Sequence, residues 1–97
     1  MNDIDIEFFV KKRDMYINAL TYSSPGISLE KDLLAAFNIE INMLQSIIEN
    51  INNPRVIEDN PYFHSWIEDT IRFHKASRSP ELEMFLRLKN YIGSVPS

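Results

Sequence analysis

The chain has 97 residues, no cysteine and a formal net charge of −4. That length suits one domain with a single modest core. The missing thiols exclude disulfide scaffolds, cysteine nucleophiles and cysteine-ligated zinc, and the negative balance disfavours general binding to nucleic acid or anionic membrane. Hydrophobic residues make up 44% and aromatics 11%, too much apolar matter for a disordered chain and enough for a packed core.

The first residues, MNDIDIEFFVKKRD, run acidic and then basic, the reverse of a secretory leader, and no apolar run is long enough to span a bilayer. A cytoplasmic protein is the expectation. The first predicted helix covers residues 3–22. Asn2 or Asp3 is placed to cap it, and Asp3, Asp5 and Glu7 suit the positive end of its dipole. Ile6, Phe9, Val10, Tyr16, Ile17 and Leu20 form a stripe near heptad spacing. Arg13 interrupts it, so its head must either reach solvent or pair with Asp14 or Glu7. Lys11, Lys12 and Arg13 are the one basic cluster and read as a solvated face. Ser23, Ser24, Pro25 and Gly26 break the pattern.

The stretch ISLEKDLLAAFNIEINMLQSIIENI follows, from Ile27 to Ile51. Ser28 is a good N-cap, with Glu30 and Asp32 in the first turn. A helix over 29–37 is expected, then a stop at Asn38, which tolerates a left-handed backbone. A second helix over 40–51 presents Ile41, Leu44, Ile47, Ile48 and Ile51, and Asn52, Asn53 and Pro54 end it. Leu33, Phe37, Ile39, Leu44 and Ile47 fall where a helix-turn-helix buries side chains, and over about twenty residues the pair resembles that motif. Leu34 stands where the motif favours a small residue, and Asn38 where it favours glycine. The resemblance implies a DNA-binding regulator in which Lys31, Asn42, Gln45, Ser46 and Arg55 make the contacts. Charge argues the other way. Between Asp32 and Pro54 there is no Lys or Arg to neutralise phosphate, so the pair reads as architecture.

Residues 52–60, NNPRVIEDN, read as a loop that covers the core with Val56 and Ile57. No second strand or glycine turn follows to make a wing. Asn60 and Pro61 restart a helix, cap then proline, over 61–75. Phe63, Trp66, Ile67, Thr70, Ile71 and His74 share one face, with Tyr62 and Phe73 at its flank. Ser79 and Pro80 repeat the start signal for a last helix over 80–92, and Gly93 is the expected stop. That helix is apolar on two sides: Leu82, Phe85, Leu86 and Ile92 on one, Met84, Leu88 and Tyr91 on the other. Such a helix is either central or shared with a partner. The tail, SVPS, reads as frayed.

No chemical constellation emerges. His64 and His74 point about 80° apart on one helix, so they do not make a metal pair. Glu58–Asp59 and Glu68–Asp69 are adjacent carboxylates that diverge, with no nucleophile beside them. Ser77 and Ser79 have only His74 nearby. The sequence therefore predicts an all-α fold, one compact domain over residues 1–97 with four to five short helices and a helix-turn-helix-like hairpin. The expected function is non-enzymatic, without cofactor or metal, acting through a protein partner or self-association. Met84, Leu88, Tyr91, Tyr62 and Trp66 are the candidate contact residues, since exposed aromatics anchor interfaces.

Overall fold

The computed structural model describes residues 4–21 and 31–94, and all regular structure there is helical. Five helices follow in order: α1 (Ile6–Thr21), α2 (Lys31–Glu49), α3 (Pro54–Glu58), α4 (Phe63–Ala76) and α5 (Leu82–Gly93). The all-α expectation holds. The expected caps at Asn2, Asp3 and Ser28, the break at Ser23–Gly26 and the final 95–97 lie outside the described residues. The chain's contacts divide it into two units, residues 6–49 and a second made of Ile4 and Asp5 with the stretch from Asn50 onward.

In the first unit α1 and α2 pack as an antiparallel hairpin. The Tyr16 and Phe37 rings meet edge to face at 5.2 Å, while further back along α1 Arg13 reaches further forward along α2, to Gln45. Arg13 Nη1 donates to Gln45 Oε1 at 2.7 Å, and its Nε and Nη2 donate to Asp14 Oδ1 at 3.2 and 3.1 Å. A guanidinium is tolerated in an apolar stripe because each of its faces finds an acceptor. Gln45 in turn donates to Glu49 Oε1 at 2.8 Å. Phe9, Met43, Leu44 and Ile47 are the buried side chains of this unit.

One expectation is overturned here. The predicted stop at Asn38 does not occur: α2 runs unbroken through the 19 residues Lys31–Glu49, so the two helices expected on either side of Asn38 are one helix there. Asn costs a helix interior only a few tenths of a kcal/mol, roughly 0.5 relative to Ala. Asn38 is exposed, and the apolar residues before and after it follow one continuous 3.6-residue period, so packing on both sides outweighs that small penalty.

In the second unit Ile57, Phe63, Trp66, Ile67, Ile71, Phe85, Leu88 and Ile92 form the core, with Ile51 at its edge. The expected loop over 52–60 contains a short helix. Pro54 does not end structure but begins α3, where its fixed φ suits the first turn and its missing amide is not needed. Five residues are too few for a period to be read in the sequence. At the α4 start Asn60 Oδ1 accepts from the Tyr62 amide at 2.9 Å, and before α5 Ser79 Oγ accepts from the Glu81 amide at 3.2 Å. Gly93 is the last residue of α5 and not a left-handed stop beyond it, with Ser94 closing the helix in a right-handed conformation.

The left-handed stop occurs instead after α4, at Arg78, with φ of 53°. The Ser79 amide donates to the His74 carbonyl at 2.9 Å and the Arg78 amide to the Lys75 carbonyl at 3.2 Å. These are the two bonds of a Schellman motif. A side chain in this conformation carries a cost that glycine does not. Arg78→Gly is expected to raise stability by roughly 1 kcal/mol, read as a higher urea midpoint. A lower midpoint would show that the Arg78 side chain outweighs the backbone term.

Candidate functional site

The five residues singled out for a partner are not equivalent in the fold. Leu88 is 0% and Trp66 8% exposed, so both belong to the core of the second unit. The Trp66 ring lies 6.1 Å from Phe85 and 6.2 Å from Phe63. Tyr91 is half-buried, and its hydroxyl donates to the Ile51 carbonyl at 2.6 Å, fixing the segment after α2 to the end of α5. Met84 is half-buried. Both apolar sides of α5 are thus occupied within the unit, which is the central arrangement and not the shared one. Tyr62 alone among the five is open, 74% exposed.

Four of the five residues named for DNA contact lie along α2. Lys31 and Asn42 are exposed on α2, Ser46 is half-buried, and the Gln45 amide is held between Arg13 and Glu49. Arg55 lies on α3, in the other unit. Lys11 sits 3.7 Å from Glu7, and Lys12 lies over the Phe8 ring at 5.9 Å. The two-helix reading geometry that would bring such side chains to a groove is absent, because α2 is continuous.

A surface the sequence reading assigned to the core is open. Ile17 on α1, and Leu33 and Leu34 on α2, are 38%, 41% and 37% exposed. They belong to the same stripes as the buried Phe9, Leu44 and Ile47. All three lie in the half of the hairpin that holds the C-terminal end of α1 and the N-terminal end of α2.

The second unit carries a cleft of about 350 Å³, lined by Glu58, Phe63, His64, Lys89, Asn90 and Ile92 with Gly93 and Ser94. His64 Nε2 is 3.5 Å from Glu58 Oε1. The turn between α3 and α4 brings the two together, a proximity that the spacing did not reveal. Ser94 Oγ donates to the Tyr91 carbonyl at 2.8 Å and Lys89 is bound to Glu68 at 2.5 Å, so neither is poised as an activated nucleophile. His74, expected at the core edge, is buried and stacks on Phe85 at 4.9 Å. Among the described residues no group of three or more His, Asp or Glu could hold a metal, and no helix is long and apolar enough to cross a membrane.

The Lys89 ammonium, through its hydrogen bond and its charge, holds the Glu68 carboxyl below its ordinary value of 4.5. A depressed folded-state pKa contributes stability above the unfolded value and loses it as pH falls through the folded one. Both groups are substantially exposed, so the contribution is small. The urea midpoint of the wild type is therefore expected to exceed that of Lys89→Met slightly at pH 7, with the gap closing below about pH 4.5. A gap that persists in acid would assign it to the lysine stem and not to the charge.

No family model matches the chain, and no curated protein or solved structure matches it either.

Proposed function

We propose that this chain is a non-enzymatic binding protein, an adaptor, inhibitor or regulatory subunit, and that the open half of the α1–α2 hairpin makes the contact. One observation carries this reading. An apolar stripe that is buried at Leu44 and Ile47 continues along α2 to Leu33 and Leu34, which are 41% and 37% exposed, and Ile17 on α1 is 38% exposed. Three large aliphatic side chains left partly exposed toward the same end of a helix pair suit a contact surface. Of the eleven aromatics in the sequence, Phe63, Trp66 and Phe85 fill the core of the second unit, Phe9 is buried in the first, and Tyr62 and Phe73 stay outside.

The test is affinity isolation of the tagged full chain at native abundance, with the wild type set against Ile17→Glu/Leu34→Glu. The expected result is a stoichiometric protein companion, or the chain itself, that is lost in the double variant while helicity is kept. Isolation of the bare monomer, or companions indifferent to the substitutions, would overturn the reading. Retention by DNA that weakens steeply with salt would favour the regulator instead.

A further inference from the structure

We infer that the cleft beside the turn from α3 to α4 is a binding site for a small organic ammonium, one protonated amine on a short apolar body, with Glu58 as its anchor. The site belongs to the second unit and is independent of the hairpin reading above.

The argument starts from Glu58, the last residue of α3. Its side chain is 38% exposed, so most of it has left water. Oε2 is shut off from solvent and takes no hydrogen bond from the described residues. Oε1 has His64 Nε2 at 3.5 Å, a distance too long for a good hydrogen bond. A carboxylate has room for about four hydrogen bonds, and drawing one out of water without them is costly. His64 becomes a cation only on protonation. The Lys89 ammonium, the other basic group at the cleft, is committed to Glu68 at 2.5 Å. Glu58 thus lacks a donor, and because it lines the cleft a ligand seated there can supply one.

The rest of the lining suits an apolar body. Phe63 and Ile92, each 1% exposed, present hydrocarbon to the cleft. Its volume of about 350 Å³ lies at the small end of ligand sites, roughly 300–1,000 Å³. At ~30 Å³ for each water-sized group it holds about ten non-hydrogen atoms. Two helix ends border it: the start of α4 at Phe63 and the finish of α5 at Gly93. A helix end carries about half a charge, positive at the start and negative at the finish. These two offset each other, and the full charge of Glu58 sets the sign. Gly93 lines the cleft within the right-handed backbone of α5, and a Cβ added there meets nothing within 4 Å. A side chain at 93 therefore takes up ligand space without disturbing the helix.

The experiment is an amide chemical-shift titration of the isotope-labelled full chain near neutral pH. The probes are benzylamine, which is protonated there, and its neutral and anionic counterparts, benzyl alcohol and benzoate. Benzylamine is expected to give saturable shifts at Glu58, His64 and 89–94, half-complete at roughly 1 mM, a fair affinity for about eight non-hydrogen atoms. Benzyl alcohol should bind about tenfold more weakly, and benzoate not measurably. Glu58→Gln should weaken benzylamine about tenfold, and Gly93→Leu should block it, each with the circular dichroism of the wild type. If Glu58→Gln unfolds, Gly93→Leu and the comparison of probes on the wild type decide. Shifts that never saturate, an alcohol or benzoate bound as tightly as the amine, or an amine indifferent to both substitutions would overturn the inference.

Discussion

Leu88→Ala is expected to destabilise the unit formed by α3, α4 and α5 by about 2–5 kcal/mol, the range for removing a buried leucine side chain from a packed core. Leu88 is fully enclosed, in a core shared with Phe85, Ile92, Ile67 and Ile57. The loss has two parts: the transfer free energy of the deleted methyl groups, and the void that remains because helices fixed by their turns cannot close on it. These turns are fixed at both ends of α4, by Asn60 at its start and by the Schellman bonds at its finish. Against a total stability of roughly 5–15 kcal/mol for an ordinary domain, a loss of that size leaves this unit marginal. The single tryptophan, Trp66, sits in the same core, so urea unfolding followed by its fluorescence reports this unit. A cost under about 1 kcal/mol would return Leu88 to the contact role its position on the second face of α5 suggested.

The residues of α4 show what periodicity makes legible. Spacing alone places Phe63, Trp66, Ile67, Thr70, Ile71 and His74 on one face, and all are buried but Thr70, which is half-buried, while Tyr62 and Phe73 at the flank are exposed. The approach to α4 and α5 is legible for a local reason, but not the first residue: Asn60–Pro61 and Ser79–Pro80 form the turn before each helix, and the helices begin at Phe63 and Leu82 after Tyr62 and Glu81, which make no side-chain cap bond. Spacing tells which side of a helix turns inward. It does not tell how much protein is present to cover that side, and so Ile17, Leu33 and Leu34 could not be told from Leu44 and Ile47 in the sequence. Two further misses have the same local origin. α3 spans five residues, shorter than two turns, and gives no period. The Glu58–His64 approach depends on a turn whose backbone path is not written in residue types. On α5 the two apolar sides were correctly seen, and the choice between a central and a shared helix needed the burial of Leu88 and the Tyr91 hydrogen bond to Ile51.

Asn38→Pro should cost about 3 kcal/mol or more, measured as loss of helical circular dichroism and a lowered thermal midpoint. Position 38 lies well inside α2, with seven residues before it and eleven after. Proline there removes the amide that bonds to the carbonyl four residues earlier, at Leu34, and drives its ring against that carbonyl. Because α1 and α2 pack along their lengths, a kink at 38 would also turn Leu33 and Leu34 out of line with Leu44 and Ile47. Hydrogen exchange should then quicken over 31–41 before it does over 42–49. Asn38→Gly separates the continuous helix from a turn by sign alone. Where residue 38 ends one helix and joins another, glycine gains by adopting the left-handed conformation freely. Inside an unbroken helix it loses backbone entropy, a penalty of a few tenths of a kcal/mol relative to Asn, while Asn38→Ala gains roughly 0.5 kcal/mol. A stabilising glycine together with a tolerated proline would restore the two-helix motif and, with it, the case for reading DNA through the residues from Glu40 to Asn50. A destabilising pair of the stated sizes makes the stripe from Leu33 to Ile47 one continuous helical edge, buried at Ile47 and 41% exposed at Leu33.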